Sequence, residues 1–205
     1  MAAGADPTRD TPELYSESPP DTLSMRTFGF WLYMLGDSLI FTALFVSYGV
    51  LQNNYAGGPT ASAVYTPFHF LFESVLIYFS VFSVAMGMRG LARGKRSALM
   101  LWFCLALAAG GIFLGIEIYD FNSQVALGIT PLRSAFLSIY FTVVGTHGLH
   151  VAVGLLWIVV MLFQVGLKGF SAAVIQRLLC LEIFWLYQGF IWACVFTFVE
   201  LWSAI

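Results

Sequence analysis

Five long apolar stretches constrain the fold of this chain more than any other feature. They cover residues 28–51, 67–88, 98–119, 134–165 and 178–202. A helix needs about 20 mostly apolar residues to cross roughly 30 Å of hydrocarbon, and each stretch meets that length. Charged residues make up 10% of the chain, against about 25% in a soluble domain. The sequence therefore predicts an all-α membrane protein, with five transmembrane helices in one bundle.

Residues 1–25 differ in composition from the rest of the chain. They are polar, rich in Asp, Glu, Ser, Thr and Pro, and lack the basic-then-apolar pattern of a signal peptide. Their low hydrophobicity predicts disorder. We therefore expect two parts, a disordered cytoplasmic tail over 1–25 and a five-helix transmembrane domain over 26–205.

The basic residues are distributed unevenly between the two ends of the predicted helices. If successive helices alternate in direction, eight of the nine lie on one side and Arg133 lies on the other. The eight are Arg9, Arg26, Arg89, Arg93, Lys95, Arg96, Lys168 and Arg177. Cytoplasmic loops carry the excess of Lys and Arg, so the N-terminus is predicted to be cytoplasmic and the C-terminus periplasmic. No basic stripe suggests a nucleic-acid partner.

Seven ionisable residues lie inside the apolar stretches, where a charge is expensive. They are Asp37, Glu73, Glu117, His147, His150, Glu182 and Glu200. Residues of this kind normally face protein or a water-filled cavity, and they mark a buried polar site or an ion path. We interpret Asp37, Glu73 and Glu117 as buried polar groups with a proton-related role. Glu182 and Glu200 are close enough to the span ends to reach water.

Asp37 lies near the middle of the first predicted span. A lone carboxylate at that depth is either neutral or paired with an imidazole. Two roles stay open. One is a proton-relay or gating group, and the other, which we favour, is a buried hydrogen-bond partner that fixes helix contacts.

His147 and His150 are spaced i, i+3, so both can lie on one face of the fourth helix. They are either a metal or haem ligand pair or neutral imidazoles that hydrogen-bond to a carboxylate or the backbone. The second interpretation is favoured, because two or three histidines without a Cys cluster cannot build a multi-haem or haem-copper centre unaided. We predict that this chain binds no metal or haem.

Two further patterns concern helix contacts. Glu117 and Asp120 share a face at i, i+3 near a membrane boundary, and they are either a polar contact with the fourth span or a partner loop, or water-exposed acids. Small residues allow membrane helices to approach closely. The predicted packing glycines are Gly111, Gly115, Gly145 and Gly148.

Several runs resemble subunit III of the haem-copper respiratory oxidases. The most specific is Gly145-Thr-His-Gly-Leu-His-Val-Ala-Val-Gly154. The segments Phe28 to Asp37, Gly115 to Phe121 and Cys180 to Leu201 resemble the family's other helices in the same order. The number of predicted spans, five rather than seven, resembles that of the quinol-oxidase branch of the family, the bo type.

The resemblance implies a non-catalytic subunit III of a proton-pumping ubiquinol oxidase that reduces oxygen to water. Such a chain packs on the haem-copper catalytic subunit I beside subunit II and a small subunit IV, binds phospholipid, and supports proton uptake in a bacterial inner membrane. Haems, copper and ubiquinol belong to the partner subunits. One departure stands out, since the family's Trp-His-x-x-Asp reads Trp185-Leu186-Tyr187-Gln188-Gly189 here, so the contacts of that His and Asp cannot be carried over.

Two other functions remain as alternatives. A similar chain could serve a cytochrome c oxidase or a nitric-oxide reductase. A small proton-coupled transporter using Asp37 and His147 is less favoured, because the sequence has no internal repeat and no pair of broken helices.

Overall fold

The computed structural model describes residues 22–60 and 67–201, without the side chains of 22–24, 26, 67, 68, 200 and 201. The predicted tail as far as residue 21, the side chain of Glu200 and residues 202–205 therefore lie outside the described residues. The helices are α1 (Thr22–Leu51), α2 (Pro67–Ala92), α3 (Arg96–Ala126), α4 (Ala135–Lys168) and α5 (Ala172–Val195). A π-helical turn, Phe196–Leu201, continues α5.

All five helices are long and apolar enough to cross a membrane, and the described segments contain no strand. The predicted fold class, an all-α bundle of five membrane-spanning helices, is confirmed. The hydrogen bonds within each helix satisfy its backbone in hydrocarbon, where no water is available to do so.

Local chemistry at the ends of α4 explains where this long helix begins and ends. The hydroxyl of Ser134 accepts a hydrogen bond from the Leu137 backbone N–H at 3.2 Å, which caps the first turn. Gly169 follows the last residue with a φ of 62°, in a region that disfavours residues with a Cβ. The polar and glycine signals at both ends are readable from the sequence.

Helix α4 is central in the bundle, because it packs against α1, α3 and α5. Helices α2 and α3 form an antiparallel hairpin, and α2 also packs against α5. The core between them contains Phe113, Val151, Ile158, Trp185 and Trp192, all fully buried. In contrast, the outer face of α1 exposes large apolar side chains such as Leu39 and Val50.

Two close helix contacts use glycines outside the set of four predicted packing glycines. A Cβ placed on Gly154 would lie 2.3 Å from Cζ3 of Trp185, and one on Gly110 would lie 2.9 Å from Cδ2 of Leu155. By comparison, a Cβ on Gly111 or Gly115 has no atom within 4 Å.

Within this bundle, Gly111 and Gly115 therefore do not bring two helices together. A helix turns by about 100° per residue, so Gly111 lies more than a quarter-turn around the helix axis from Gly110. Both predicted glycines are on the exposed side of α3, whereas Gly110 faces the core. The two glycines of α4 do meet α3, because a Cβ on Gly145 would lie 3.5 Å from Phe121 and one on Gly148 2.9 Å from Glu117.

Candidate functional site

A buried polar pair joins α1 to α4. Oδ1 of Asp37 lies 3.1 Å from Nε2 of His150, and Nδ1 of His150 lies 2.7 Å from the backbone oxygen of Thr146. The carboxyl group is almost fully buried, and the imidazole is partly exposed. The structure thus brings together two of the ionisable residues singled out in the sequence, on helices that are far apart in the chain.

The hydrogen bonds of this pair determine how many protons it holds. A carbonyl oxygen can only accept, so Nδ1 of His150 carries a hydrogen and donates it to Thr146. The contact between Nε2 and Asp37 then needs a second proton, held either by Nε2 as an imidazolium or by the carboxyl group. In both arrangements the pair has no net charge, which suits its depth in the bundle. It can exchange one proton between two atoms.

An aromatic ring packs against this pair. The Phe41 ring centroid lies 5.2 Å from that of His150, and Phe41 is itself buried. The second carboxylate oxygen of Asp37 is buried and receives no hydrogen bond from any residue that the structure describes. The pair therefore has spare acceptor capacity.

His147 has a different partner on a different helix. Its Nε2 lies 3.3 Å from the backbone oxygen of Gln188 on α5, so Nε2 is the donor. The imidazole is fully buried between the rings of Phe113 and Trp192, at centroid distances of 5.9 and 5.2 Å. His147 and His150 therefore diverge, toward α5 and α1, instead of converging on one ligand. This geometry favours the hydrogen-bonding interpretation over a metal or haem pair.

A third polar group lies between α2 and α3, at the end of the bundle that contains the start of α2. Nδ1 of His69 lies 2.8 Å from Oδ2 of Asp120, and both side chains are partly exposed. Glu73, one helical turn after His69, is buried beneath them. We call His69, Glu73 and Asp120 the α2–α3 cluster; sequence reasoning missed His69, whose i, i+4 spacing from Glu73 was the available signal.

Glu117 lies next to this cluster, at the contact between α3 and α4. Both of its carboxylate oxygens are buried, and no described residue gives them a hydrogen bond. A Cβ on Gly148 would lie 2.9 Å from Oε2, so the glycine makes room for this carboxyl group. Of the two acids at i, i+3, Glu117 thus meets α4 and Asp120 meets His69.

Two serines on α2 hold the large indoles of α5, a feature that the sequence analysis did not predict. Nε1 of Trp185 donates to Oγ of Ser80 at 3.1 Å, and Ser80 donates to the backbone oxygen of Ala106 at 2.7 Å. Nε1 of Trp192 donates to Ser74 at 2.9 Å. Small hydroxyl residues in apolar helices could have signalled such contacts.

The segment Trp185 to Gly189 on α5, which departs from the family pattern, has two different surroundings. Leu186 is exposed on the outside of the bundle. A Cβ on Gly189 would lie 2.9 Å from Cγ2 of Val81, so a larger side chain at this position has no space. The glycine lets α5 approach α2 closely. Glu182, earlier on α5, is partly buried.

Similarity to curated proteins extends over nearly the whole chain. It is 38% identical over 185 residues to the cytochrome bo(3) ubiquinol oxidase subunit 3 of Pseudomonas aeruginosa, which covers 90% of this chain and 88% of that relative. The chain belongs to the oxidase subunit 3 family. Its five spans and bacterial relatives make it a multi-pass protein of the bacterial inner membrane.

The family includes proteins with different electron donors in their names. The chain is 34% identical over 174 residues to a cytochrome c oxidase subunit 3 from a Bacillus strain, with 84% of each chain covered. It is 29% identical over 185 residues to a quinol oxidase subunit 3 of Bacillus spizizenii, covering 90% of this chain and 91% of the relative. No protein-family model matches the chain.

Proposed function

We propose that this chain is the non-catalytic subunit III of a proton-pumping ubiquinol oxidase that reduces oxygen to water. In this function it packs on and stabilises the haem-copper catalytic subunit, beside subunit II and a small subunit IV. It also binds phospholipid and supports proton uptake. The similarity to bo(3) ubiquinol oxidase subunit 3 along 90% of the chain supports the quinol branch.

The arrangement of the three histidines carries the non-catalytic part of the proposal. His69, His147 and His150 have polar partners on three different helices, in Asp120, Gln188 and Asp37. Haem and copper centres need several nitrogen or sulfur ligands aimed at one point. The haems, copper and ubiquinol are therefore assigned to the partner subunits.

The outer face of α1 supports packing on another membrane chain. It exposes a row of large apolar side chains on the side away from α4 and α5, including Trp31, Leu39, Val46 and Val50. Such a face is compatible with lipid tails and with an apolar partner helix, and we assign it to both. The orientation with the N-terminus in the cytoplasm follows from the distribution of basic residues.

The Asp37–His150 pair supports a proton-related role. It holds one proton that either residue can carry, near the middle of a span, and one carboxylate oxygen remains unpaired among the described residues. We assign it the task of stabilising proton delivery to the catalytic subunit during turnover, without taking part in electron transfer.

Affinity purification of the tagged chain in mild detergent tests the proposal. We expect it to purify with a large haem-containing chain and with quinol-driven oxygen uptake, and to show no Soret band when isolated from its partners. Quinol oxidation by the isolated chain would contradict the non-catalytic assignment. A colourless preparation without a partner chain would contradict the oxidase-subunit assignment.

A further inference from the structure

The α2–α3 cluster has the composition and geometry of a metal site. One ligand atom from each of His69, Glu73 and Asp120 lies within 4.8 Å of the others. His69 and Glu73 are four residues apart on α2, so they project from one face, and Asp120 faces them from α3. Because α2 and α3 form a hairpin, their backbones hold the three side chains in position.

The side chains of this region offer several oxygen ligands to a cation. Asp120 and the buried Glu73 lie close together, and the charges of both are close enough to interact with that of Glu117. Among the residues that the structure describes, His69 is the one basic side chain that forms an ion pair with this group. Three carboxyl groups and one imidazole therefore lie together in a region of low polarity, where a bound cation would stabilise the ionised form of the carboxyl groups.

Glu117 gives an independent indication that something binds here. It is buried, and neither of its oxygens has a hydrogen-bond partner among the described residues. A buried carboxyl group is normally satisfied, because leaving it unpaired is expensive. A metal-bound water between Glu117 and the cluster would supply the missing donor, as outer-shell partners of metal sites commonly do.

We propose that His69, Glu73 and Asp120 are the ligands of a divalent metal ion, with Glu117 as an outer-shell acceptor for water on that ion. One imidazole nitrogen and two carboxylate oxygens are the ligands that Zn²⁺ accepts, with bonds of about 2.0–2.2 Å. Nδ1 of His69 and Oδ2 of Asp120 form an ion pair at 2.8 Å, and on binding the ion they would separate to the ligand-to-ligand distance of roughly 3.3 Å that such bonds give in a tetrahedron.

Access to the site follows from the exposure of its ligands. Asp120 and His69 are partly exposed at the helix ends, and Glu73 is buried beneath them. An ion from the aqueous phase therefore meets the two exposed ligands first and Glu73 last. With three protein ligands, the remaining position belongs to water, and the ion ties α2 to α3 near the membrane boundary.

Zinc binding to the full chain in detergent, alone or in its complex, tests the proposal independently of oxidase function. The protein is stripped with EDTA, equilibrated with Zn²⁺ alone, and analysed for bound metal by mass spectrometry. We expect Asp120→Asn and Glu73→Gln each to weaken zinc binding at least about tenfold, since even outer-shell changes commonly cost 10–100-fold. Asp120→Asn changes a partly exposed residue, so it keeps the test valid if Glu73→Gln fails to fold.

Glu182→Gln is the matched control, since it neutralises a partly buried carboxylate on α5 outside the cluster. It should bind zinc like the original chain. We also expect Zn²⁺ to raise the melting temperature of the original chain and of this control, and not of Asp120→Asn. Equal zinc affinity in the original chain and Asp120→Asn would overturn the proposal.

Discussion

The carboxyl group of Asp37 and the imidazole of His150 meet at 3.1 Å across the bundle, and a hydrogen bond at this contact needs one proton, carried by either residue. The second imidazole nitrogen is committed to the backbone oxygen of Thr146. The pair therefore connects α1 to α4 in one geometry, whichever of the two residues carries the proton. The contact between the helices is the structural role of the pair, and the exchangeable proton is its chemical role. A substitution can remove the second and keep the first.

Asp37→Asn should remove the movable proton and preserve the contact. The amide of Asn can donate a hydrogen bond to Nε2 of neutral His150, so the complex should assemble and retain most of its oxygen reduction. It should inactivate severalfold sooner during turnover, which continuous oxygen-uptake traces measure. Asp37→Leu is the control, because it removes the hydrogen bond as well and should also weaken assembly. Complete loss of electron transfer in an assembled Asp37→Asn complex would contradict a supporting role.

His147→Ala should weaken the chain by removing the side-chain hydrogen bond to the backbone oxygen of Gln188 and by opening space between Phe113 and Trp192. Loss of the hydrogen bond alone costs about 0.5–1.5 kcal/mol. Thermal inactivation of the purified complex measures the effect, and the haem spectrum should stay unchanged at low temperature. Normal thermal stability of this variant would argue against a structural His147.

Ser80→Ala should leave Nε1 of the fully buried Trp185 without an acceptor. We expect a loss of about 1–3 kcal/mol, since an unsatisfied buried donor carries that penalty. Trp185→Phe removes the donor, so adding Ser80→Ala to it should cost less than Ser80→Ala alone. A double-mutant cycle on the stability of the purified chain gives the coupling. Strictly additive losses would show that the hydrogen bond contributes little.

Gly154→Ala should push α4 away from α5, because the new Cβ would lie 2.3 Å from the ring of Trp185. Overpacking of this kind costs about 1–3 kcal/mol. Gly166→Ala is the control on the same helix, where a Cβ meets no atom within 4 Å and helix propensity favours alanine. Denaturant titration of the two variants should move the midpoints in opposite directions. Equal stability would contradict the close contact.

The sequence predicts the number of helices well and their rotation poorly. Each stretch is apolar on every side because lipid tails and the protein core are equally apolar, so periodicity does not distinguish the exposed face from the buried one. Gly111 and Gly115 were chosen from spacing alone, while the contact is made by the neighbouring Gly110. To predict which face of α3 is buried, one needs to know which helices it contacts.

Polar residues were better guides than small ones. Asp37 was predicted to be either neutral or paired with an imidazole, and the structure provides the imidazole of His150. The spacing of His147 and His150 indicated a common face, yet their partners lie on different helices. Side chains three residues apart differ by about 60° around the axis, enough for two neighbours to be reached from one helix. Which neighbours they are depends on tertiary packing.

The position of α1 in the bundle has a consequence for the order of membrane insertion. α1 packs against α4 and α5, the two helices that the ribosome makes last. Asp37 therefore enters the bilayer long before His150 exists, and for that interval it lacks the hydrogen bond to His150 that it has in the finished bundle. The contact between α1 and α4 can therefore form only after α4 has been inserted.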